Sequence, residues 1–195
     1  MEFSEVVRRR RMVRNYTDDP VDPEAVERIV AAALRAPSAG YSQGQSLVVV
    51  TDPTRRRRIA ELAGEPEYVA AGFDPWISRA PVHVVVAVSE EVYRRRYDEP
   101  DKNPDGTEQD WPVPYWWVDA GASLMLVLLA AVNEGLAAGF LGSHAMAALE
   151  AELGFPPDVR AIGVVTIGHP SPDRRSESLA RGPRPRGETV HRDRW

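Results

Sequence analysis

The sequence contains no cysteine, which excludes disulfide bonds and thiolate metal sites. It also lacks the motifs GxSxG, GxxxxGK(S/T) and GxGxxG, so the main sequence support for a hydrolase, a P-loop protein or a Rossmann dinucleotide-binding fold is missing. No two of the four histidines have metal-ligand spacing, and there is no HExxH motif. We therefore expect the histidines to have core, capping or surface roles and expect no metal site.

Excess positive charge and a membrane-length apolar run are also missing. The net charge is -5, which disfavours a nucleic-acid partner in spite of several arginine runs. The most apolar run covers 13 residues, 120–132, whereas a helix needs about 20 to cross a bilayer. We expect this run to be a helix that is buried nearly all round. The N-terminus is charged from Glu2 and has no apolar h-region, so we expect no secretory signal, no membrane partner and a cytoplasmic protein.

With 195 residues, 43% of them hydrophobic, the chain is long enough for one domain with a sizeable core. Helical periodicity and caps predict helices near 2–11, 22–36, 52–62, 118–134 and 145–153. Short β-branched runs predict buried strands at 47–50, 82–88 and 160–167. The segments 97–117 and 170–186 are rich in proline and predict long loops. This pattern favours an α+β or mixed α/β domain with three layers.

The first arginine cluster, residues 8–11 with Arg14, places five guanidinium groups within seven residues. We expect at least two of them, Arg10 and Arg14, to share a helix face at i and i+4 spacing. Such a cluster is either a solvated helix end or a phosphate site, because guanidinium binds phosphate oxygens in a bidentate manner. The second run, residues 55–58, lies in a helix first turn, where the helix dipole disfavours positive charge. We interpret that run as solvated surface.

The first cluster also begins a recognisable pattern. Residues 10–16 (RRMVRNY), followed by 20–50 (PVDPEAVERIVAAALRAPSAGYSQGQSLVVV), closely resemble the N-terminal signature of the nitroreductase family, which reads RRSxRxF/Y, a helix and APSAGNxQPWxFVVV. Three more segments match in order: VDAGASLMLVLLAAVNEGLAAGFLGS, AIGVVTIGHP and ETVHRDRW. The resemblance covers nearly the whole chain outside residues 90–117. We identify the chain as a member of this family.

The resemblance implies a single domain over residues 1–195 with a three-layer α/β/α fold and a central, mostly antiparallel sheet. It implies a homodimer with two FMN molecules at the interface, a variable lid-like loop at 98–117 and a C-terminal extension at 170–195 that reaches the partner subunit. Small residues at 120–123 support this physically, because they would let a partner helix approach closely. The alternative is that this helix is buried within one monomer.

The resemblance also assigns contacts to FMN. The arginine cluster matches the family's phosphate and ribityl contacts, and the loop after the second helix matches a segment that reaches the flavin from the partner subunit. A strand end near residue 140 matches backbone that lies against the isoalloxazine ring. The expected FMN contacts are Arg10, Arg11, Met12, Arg14, Pro37, Ser38, Ala39, Tyr41, Gln43, Phe140, Leu141, Gly142, Arg184 and Arg186, with Arg181 as a rival for the C-terminal positions.

Three departures from the family pattern bear on these assignments. Met12 stands where a serine commonly donates to the flavin phosphate, Tyr41 replaces an asparagine, and Gly44-Gln45 replaces Pro-Trp. The last two lie near the expected flavin edge, where they alter the ordinary substrate contacts. In the 98–117 segment, we hypothesise that the rings of Trp111, Tyr115 and Trp116 form an aromatic lid over the flavin. The alternative is that these rings pin a long loop onto the core.

The activity that the resemblance implies is ping-pong transfer of hydride from NADH or NADPH, through FMN, to a small aromatic, quinone or nitro acceptor. The cofactor carries this chemistry, so no side chain is expected to be catalytic. Two other functions stay open: a flavin-binding sensor or storage protein, and a flavin oxidase or dehalogenase on the same scaffold.

Overall fold

The computed structural model describes residues 1–107, 109–146, 148–174 and 176–195. Residues 108, 147 and 175, which fall in the predicted loop, the predicted helix at 145–153 and the C-terminal extension, lie outside the described residues. The centre of the fold is a sheet of four strands: β1 (Gln45–Val50), β2 (Val82–Ser89), β3 (Ala137–Gly142) and β4 (Val159–Gly168). The strand order is β1-β2-β4-β3 and all three pairings are antiparallel. The α+β prediction with an antiparallel sheet is confirmed.

Seven α-helices surround this sheet in the described residues. Two begin where capping predicted, since Asp22 accepts a hydrogen bond from the Glu24 N–H and Asp52 accepts one from the Arg55 N–H. The helices are α1 (Phe3–Arg9), α2 (Pro23–Ala33), α3 (Pro53–Leu62), α4 (Glu65–Ala70), α5 (Glu90–Tyr97), α6 (Tyr115–Asn133) and α7 (Leu149–Glu152).

The sheet separates two apolar cores, because side chains alternate between its faces. In β2, Val84 and Val86 pack with α2 and α6 on one face. Val85 packs with Ile59 of α3 and Leu149 of α7 on the other face. The molecule therefore has the three layers that the sequence predicted.

Two predicted helices differ in extent. The first helix ends at Arg9 and leaves the rest of the arginine cluster outside it. The predicted helix at 145–153 is one turn, α7, preceded by a separate 3-10 turn at Ser143–Ala145. Neither α4 nor α5 was predicted, because each buries only one side chain and so shows no apolar stripe.

The apolar helix α6 is longer than predicted and begins inside the 98–117 segment. It is not buried nearly all round: Val118 is 53% exposed and Met125 is 45% exposed. By length and composition this helix could cross a bilayer, but core helices of soluble proteins pass the same test, so the indication is weak. Its buried side forms part of the core, and its exposed side is apolar.

Candidate functional site

The arginine segment, residues 10–14, follows α1 as extended backbone and lies beside β3. Met12 forms a parallel bridge with Ala138, and the Val13 N–H donates to the Ala138 carbonyl at 3.0 Å. Val13 is buried, whereas Arg11, Met12 and Arg14 are exposed. The predicted helix face for Arg10 and Arg14 is wrong, because α1 ends at Arg9.

A buried tyrosine fixes this segment against the sheet. The Tyr16 hydroxyl lies 2.8 Å from Thr166 Oγ1 and 3.0 Å from the Val13 carbonyl oxygen. Burial raises the pKa of Tyr16 well above its ordinary value. Gly139 of β3 allows the close approach, because a Cβ there would collide with the Val13 carbonyl oxygen. The position of the arginines is thus set by Tyr16 and Gly139.

The guanidinium groups of this segment are available to an anion. Within the described residues, no carboxylate forms an ion pair with Arg10, Arg11 or Arg14. The Arg14 guanidinium lies over the Trp76 ring, 5.8 Å from its centroid, and the Arg14 backbone N–H donates to Asp173 Oδ2 at 2.8 Å. Three arginines with unused donors in the described structure can hold a phosphate.

The predicted flavin-facing residues lie at the end of β3, the same strand that pairs with the arginine segment. Phe140, Leu141 and Gly142 are its last three residues, and all three are half-buried. From Ala138, where the arginine segment pairs, to Gly142 is about 13 Å along the strand at about 3.3 Å per residue. The arginine segment thus lies beside the start of β3, and the predicted flavin-facing backbone lies at the end of the same strand.

The loop at residues 37–43 is held in a strained shape. Tyr41 and Gln43 have positive φ angles of 56° and 55°, which residues other than glycine rarely adopt. Ser38 Oγ accepts the Gln43 N–H at 2.9 Å, and the Pro37 carbonyl accepts from Gln45 Nε2 at 2.9 Å. The Tyr41 side chain is 75% exposed. The surrounding structure therefore imposes a conformation that presents Tyr41 outward.

This loop and the arginine segment line different cavities of the chain. Pro37, Ser38, Tyr41 and Gln43 line a cavity of about 600 Å³ together with Ser123 of α6. Arg14 lines a separate cavity of about 360 Å³ with Phe73, Asp74 and Asp173. Neither of these two cavities is lined, in the described residues, by both groups of predicted FMN contacts.

The C-terminal arginines lie in an exposed segment. All of residues 176–195 are exposed, including Arg181, Arg184 and Arg186. Arg184 donates to the Glu188 carbonyl at 3.1 Å and pairs with the Glu188 carboxylate at 3.7 Å. In the described part of the chain, no hydrogen bond or ion pair connects these arginines to residues 10–14.

The predicted lid residues lie around the start of α6. Trp116 is 5% exposed and its ring centroid is 6.3 Å from Tyr93 and 5.4 Å from Trp111. Tyr115, in the same turn, is exposed. This packing holds the end of the 98–117 segment against α5 and α6. Such packing is the alternative to a lid role. A lid role for these rings stays a prediction.

Two polar residues that organise the site were not predicted. Asp119, buried in α6, accepts the Ala39 N–H at 2.8 Å and so holds the 37–43 loop. Asn15 donates to the Pro172 carbonyl at 2.8 Å and accepts from Arg79 at 2.9 Å, which ties the start of the C-terminal extension to the arginine segment. A carboxylate beside an apolar run was a usable signal for Asp119, whereas Asn15 had none. Among the described residues, no group of His, Asp and Glu could hold a metal ion.

Known proteins resemble this chain in sequence and in fold. Residues 7–169 match the Nitroreductase family. A putative NADH dehydrogenase/NAD(P)H nitroreductase of Archaeoglobus fulgidus is 26% identical over 100% of this chain and 99% of its own length. The FMN reductase [NAD(P)H] of Bacillus subtilis is 30% identical over 83% of this chain, which spans only 63% of that protein.

Among solved structures, the NADPH:FMN oxidoreductase from Vibrio harveyi complexed with NAD+ superposes with a TM-score of 0.74 at 26% identity, covering 99% of this chain and 77% of that one. The family match covers far more than half of the sequence, and the four strands and the arginine segment lie within it or overlap it. The chain belongs to the nitroreductase family.

Proposed function

We propose that the protein is an FMN-dependent NAD(P)H oxidoreductase that works by a ping-pong cycle. The observation that carries the proposal is the arginine segment, which holds three guanidinium groups beside β3 without an ion-pair partner in the described residues. The names of the Bacillus and Vibrio relatives support the same cofactor and the same donors. Because the chain spans only part of those relatives, their activity is a proposal for this chain.

The described residues fit FMN. Arg10, Arg11 and Arg14 would hold the phosphate, and each charge-assisted contact would contribute about 1.5–3 kcal/mol. Met12 has no hydroxyl group to donate, so the arginines carry more of the binding energy. The backbone of residues 140–142 would lie along the isoalloxazine ring. Bound FMN would supply the hydride-transfer chemistry, which no side chain of the protein possesses.

The remaining contacts would come from a second copy of the chain. We propose a homodimer through the apolar face formed by α6 and by α1, which packs on it. Phe3 of α1 is 74% exposed, and Val118 and Met125 of α6 are also exposed. An apolar face of this kind is typical of an interface. The partner's 37–43 loop would then reach the arginine segment from which it is separated within one chain.

The C-terminal extension fits the same proposal. Every described residue from 176 to 195 is exposed, so this segment gains little from its own subunit. As an arm on the partner, it would bring Arg184 and Arg186 toward a flavin phosphate. We further propose a small quinone, nitro or other aromatic acceptor and a cytoplasmic protein without a nucleic-acid or membrane partner.

The test is spectroscopic. The purified protein should be yellow, with flavin absorbance at about 450 nm that NADPH or NADH bleaches under anaerobic conditions. A colourless protein that does not take up added FMN would contradict the cofactor. A yellow protein that neither donor bleaches would instead support the sensor or storage alternative, and bleaching that only oxygen or a halogenated aromatic reverses would support the oxidase or dehalogenase alternative.

A further inference from the structure

Arg96, near the end of α5, links two segments that are distant in sequence. Its Nε donates to the Gly40 carbonyl at 2.9 Å, inside the 37–43 loop. Its two terminal nitrogens each donate to a different oxygen of Asp101 at 2.7 Å, and one of them also reaches Glu99 at 2.9 Å. A planar guanidinium that binds a carboxylate with both nitrogens has little freedom to turn. The carboxylates after α5 therefore fix the group that holds Gly40.

A second, apolar link runs parallel to the first. Gly40 lies against the Tyr97 ring, where an added Cβ would come within 2.7 Å of Tyr97 Cε2. The Tyr97 ring meets the Trp111 ring edge-on, with 4.7 Å between the centroids. Trp111 in turn packs on Trp116 at the start of α6. Two parts of the segment between α5 and α6, residues 99–101 and Trp111, thus contact the neighbours of Gly40.

The 37–43 loop needs such support because its backbone is strained. Gly40, Tyr41 and Gln43 all have positive φ angles. Its N–H groups are held by the Ser38 carbonyl, the Ser38 hydroxyl and the carboxylate of Asp119. Residues in this region of φ and ψ persist where the surrounding contacts impose them. Arg96 and Tyr97 supply those contacts on the side of Gly40.

We propose that residues 98–114 set the conformation of the 37–43 loop through Arg96 and Tyr97, which act as positioning residues for the acceptor side of the flavin site. The second half of this statement rests on the proposed function. The first half concerns the polypeptide alone. Arg96 and Tyr97 lie in the stretch without a counterpart in the family signature, so this coupling would adapt the common site to the acceptor of this protein.

Hydrogen exchange followed by mass spectrometry tests the coupling without flavin. The double variant Glu99→Gln/Asp101→Asn removes the two charges that hold Arg96 and leaves Arg96 itself in place. In the apoprotein, exchange at the amides of residues 39–43 should become about tenfold faster, as the loss of charge-assisted hydrogen bonds implies. Trp111→Ala should accelerate the same amides through the second link.

The matched control is Asp105→Asn, which removes a carboxylate from the same segment. In the described structure, Asp105 bonds only with Thr107. Exchange at residues 39–43 should therefore stay at its original rate. Unchanged exchange there in both the double variant and Trp111→Ala would overturn the proposal. Equal acceleration throughout β2 would also overturn it, because it would show a general loss of stability.

Kinetics of the flavin-loaded protein test the positioning role of Arg96 and Tyr97. With menadione as the acceptor and FMN at saturating concentration, the double variant should raise KM by about tenfold while kcat stays unchanged. Ferricyanide, which accepts electrons without a fitted site, should react at the original rate. An unchanged KM for menadione would overturn the positioning role. A protein that fails to bind FMN would overturn the proposed function, while the exchange result would still stand.

Discussion

Tyr93 donates its hydroxyl hydrogen bond to Asp119, with 2.9 Å between the two oxygens. The same carboxylate oxygen accepts the Ala39 N–H at 2.8 Å. Both side chains are buried, and burial, followed by the hydrogen bond to Asp119, raises the pKa of the Tyr93 hydroxyl above its ordinary value. One buried carboxylate therefore joins α5, α6 and the 37–43 loop.

Removal of the Tyr93 hydroxyl should destabilise the fold. Tyr93→Phe keeps the ring but leaves the buried Asp119 carboxylate with one donor fewer. We expect the free energy of unfolding in urea to fall by about 1.5–3 kcal/mol, the usual range for a hydrogen bond to a charged group. Tyr115→Phe is the control, since Tyr115 is exposed. Equal effects of the two changes would show that the Asp119 bond contributes nothing.

His83 should make stability depend on pH. Its ring is fully buried in β2, and Nε2 lies 2.7 Å from the Ile77 carbonyl oxygen, so Nε2 donates in the neutral ring. Burial lowers the pKa to about 4, and the positive charge of Arg56 acts in the same direction, while the hydrogen bond to Ile77 opposes both. His83 is therefore protonated at a lower pH in the folded state than in the unfolded state, where its pKa is 6.5.

The stabilising effect of neutral His83 is complete above pH 6.5 and is lost as pH falls toward 4, because the unfolded state then binds more protons. The loss amounts to about 3 kcal/mol over this window. Urea unfolding of the apoprotein between these pH values measures it. His83→Gln cannot titrate, so its stability should depend less on pH. Identical pH profiles for both proteins would rule out His83 as the source.

The sequence was a good guide to elements that carry local signals. The eight residues of β2 are all buried, and their β-branched run predicted them almost to the residue. β3 reads AAGFLG, with small residues that fit close to the arginine segment, and so carries no β-branched signal. Only the family resemblance predicted that strand. When a strand has small residues because another segment packs closely against it, the strand cannot be predicted without knowledge of that segment.

The arginine segment shows why prediction from the local sequence also failed. A run of arginines after α1 favours continued helix, yet the helix stops at Arg9. Burial of Val13 and Tyr16 and the pairing of Met12 with Ala138 override that preference. The pairs that organise the candidate site, Asp119 with Ala39 and Asn15 with Pro172, join residues far apart in sequence. Such contacts depend on the completed fold.

Single substitutions in the arginine segment should weaken FMN binding. Arg10→Ala and Arg14→Ala each remove one charge-assisted contact, which corresponds to about a 10- to 100-fold higher Kd. The quenching of flavin fluorescence during titration of the apoprotein measures this. Arg8→Ala, on α1 in the same run, is the control and should leave Kd unchanged. If Arg14 serves only to cover Trp76, its loss will lower Tm and leave Kd as it was.

Met12→Ser should strengthen FMN binding. Met12 lies between Arg11 and Arg14 in the arginine segment and is exposed, so its replacement costs little packing. A serine hydroxyl there would add one donor to a charged phosphate, and Kd should fall by about tenfold. Met12→Ala, which shortens the side chain without adding a donor, separates the hydrogen bond from the effect of size. Equal Kd values for the two variants would place the phosphate elsewhere.

Deletion of residues 176–195 separates the roles of the C-terminal extension. This segment is fully exposed, so its loss should leave the melting of a single subunit nearly unchanged. If the extension packs on the partner subunit, light scattering will show that the truncated protein dimerises more weakly, and its affinity for FMN will also fall. The full-length variant Arg184→Ala/Arg186→Ala should lose FMN affinity while it keeps the dimer, because only the charges are removed. A truncated protein that keeps both the dimer and its FMN affinity would show that the extension contributes to neither.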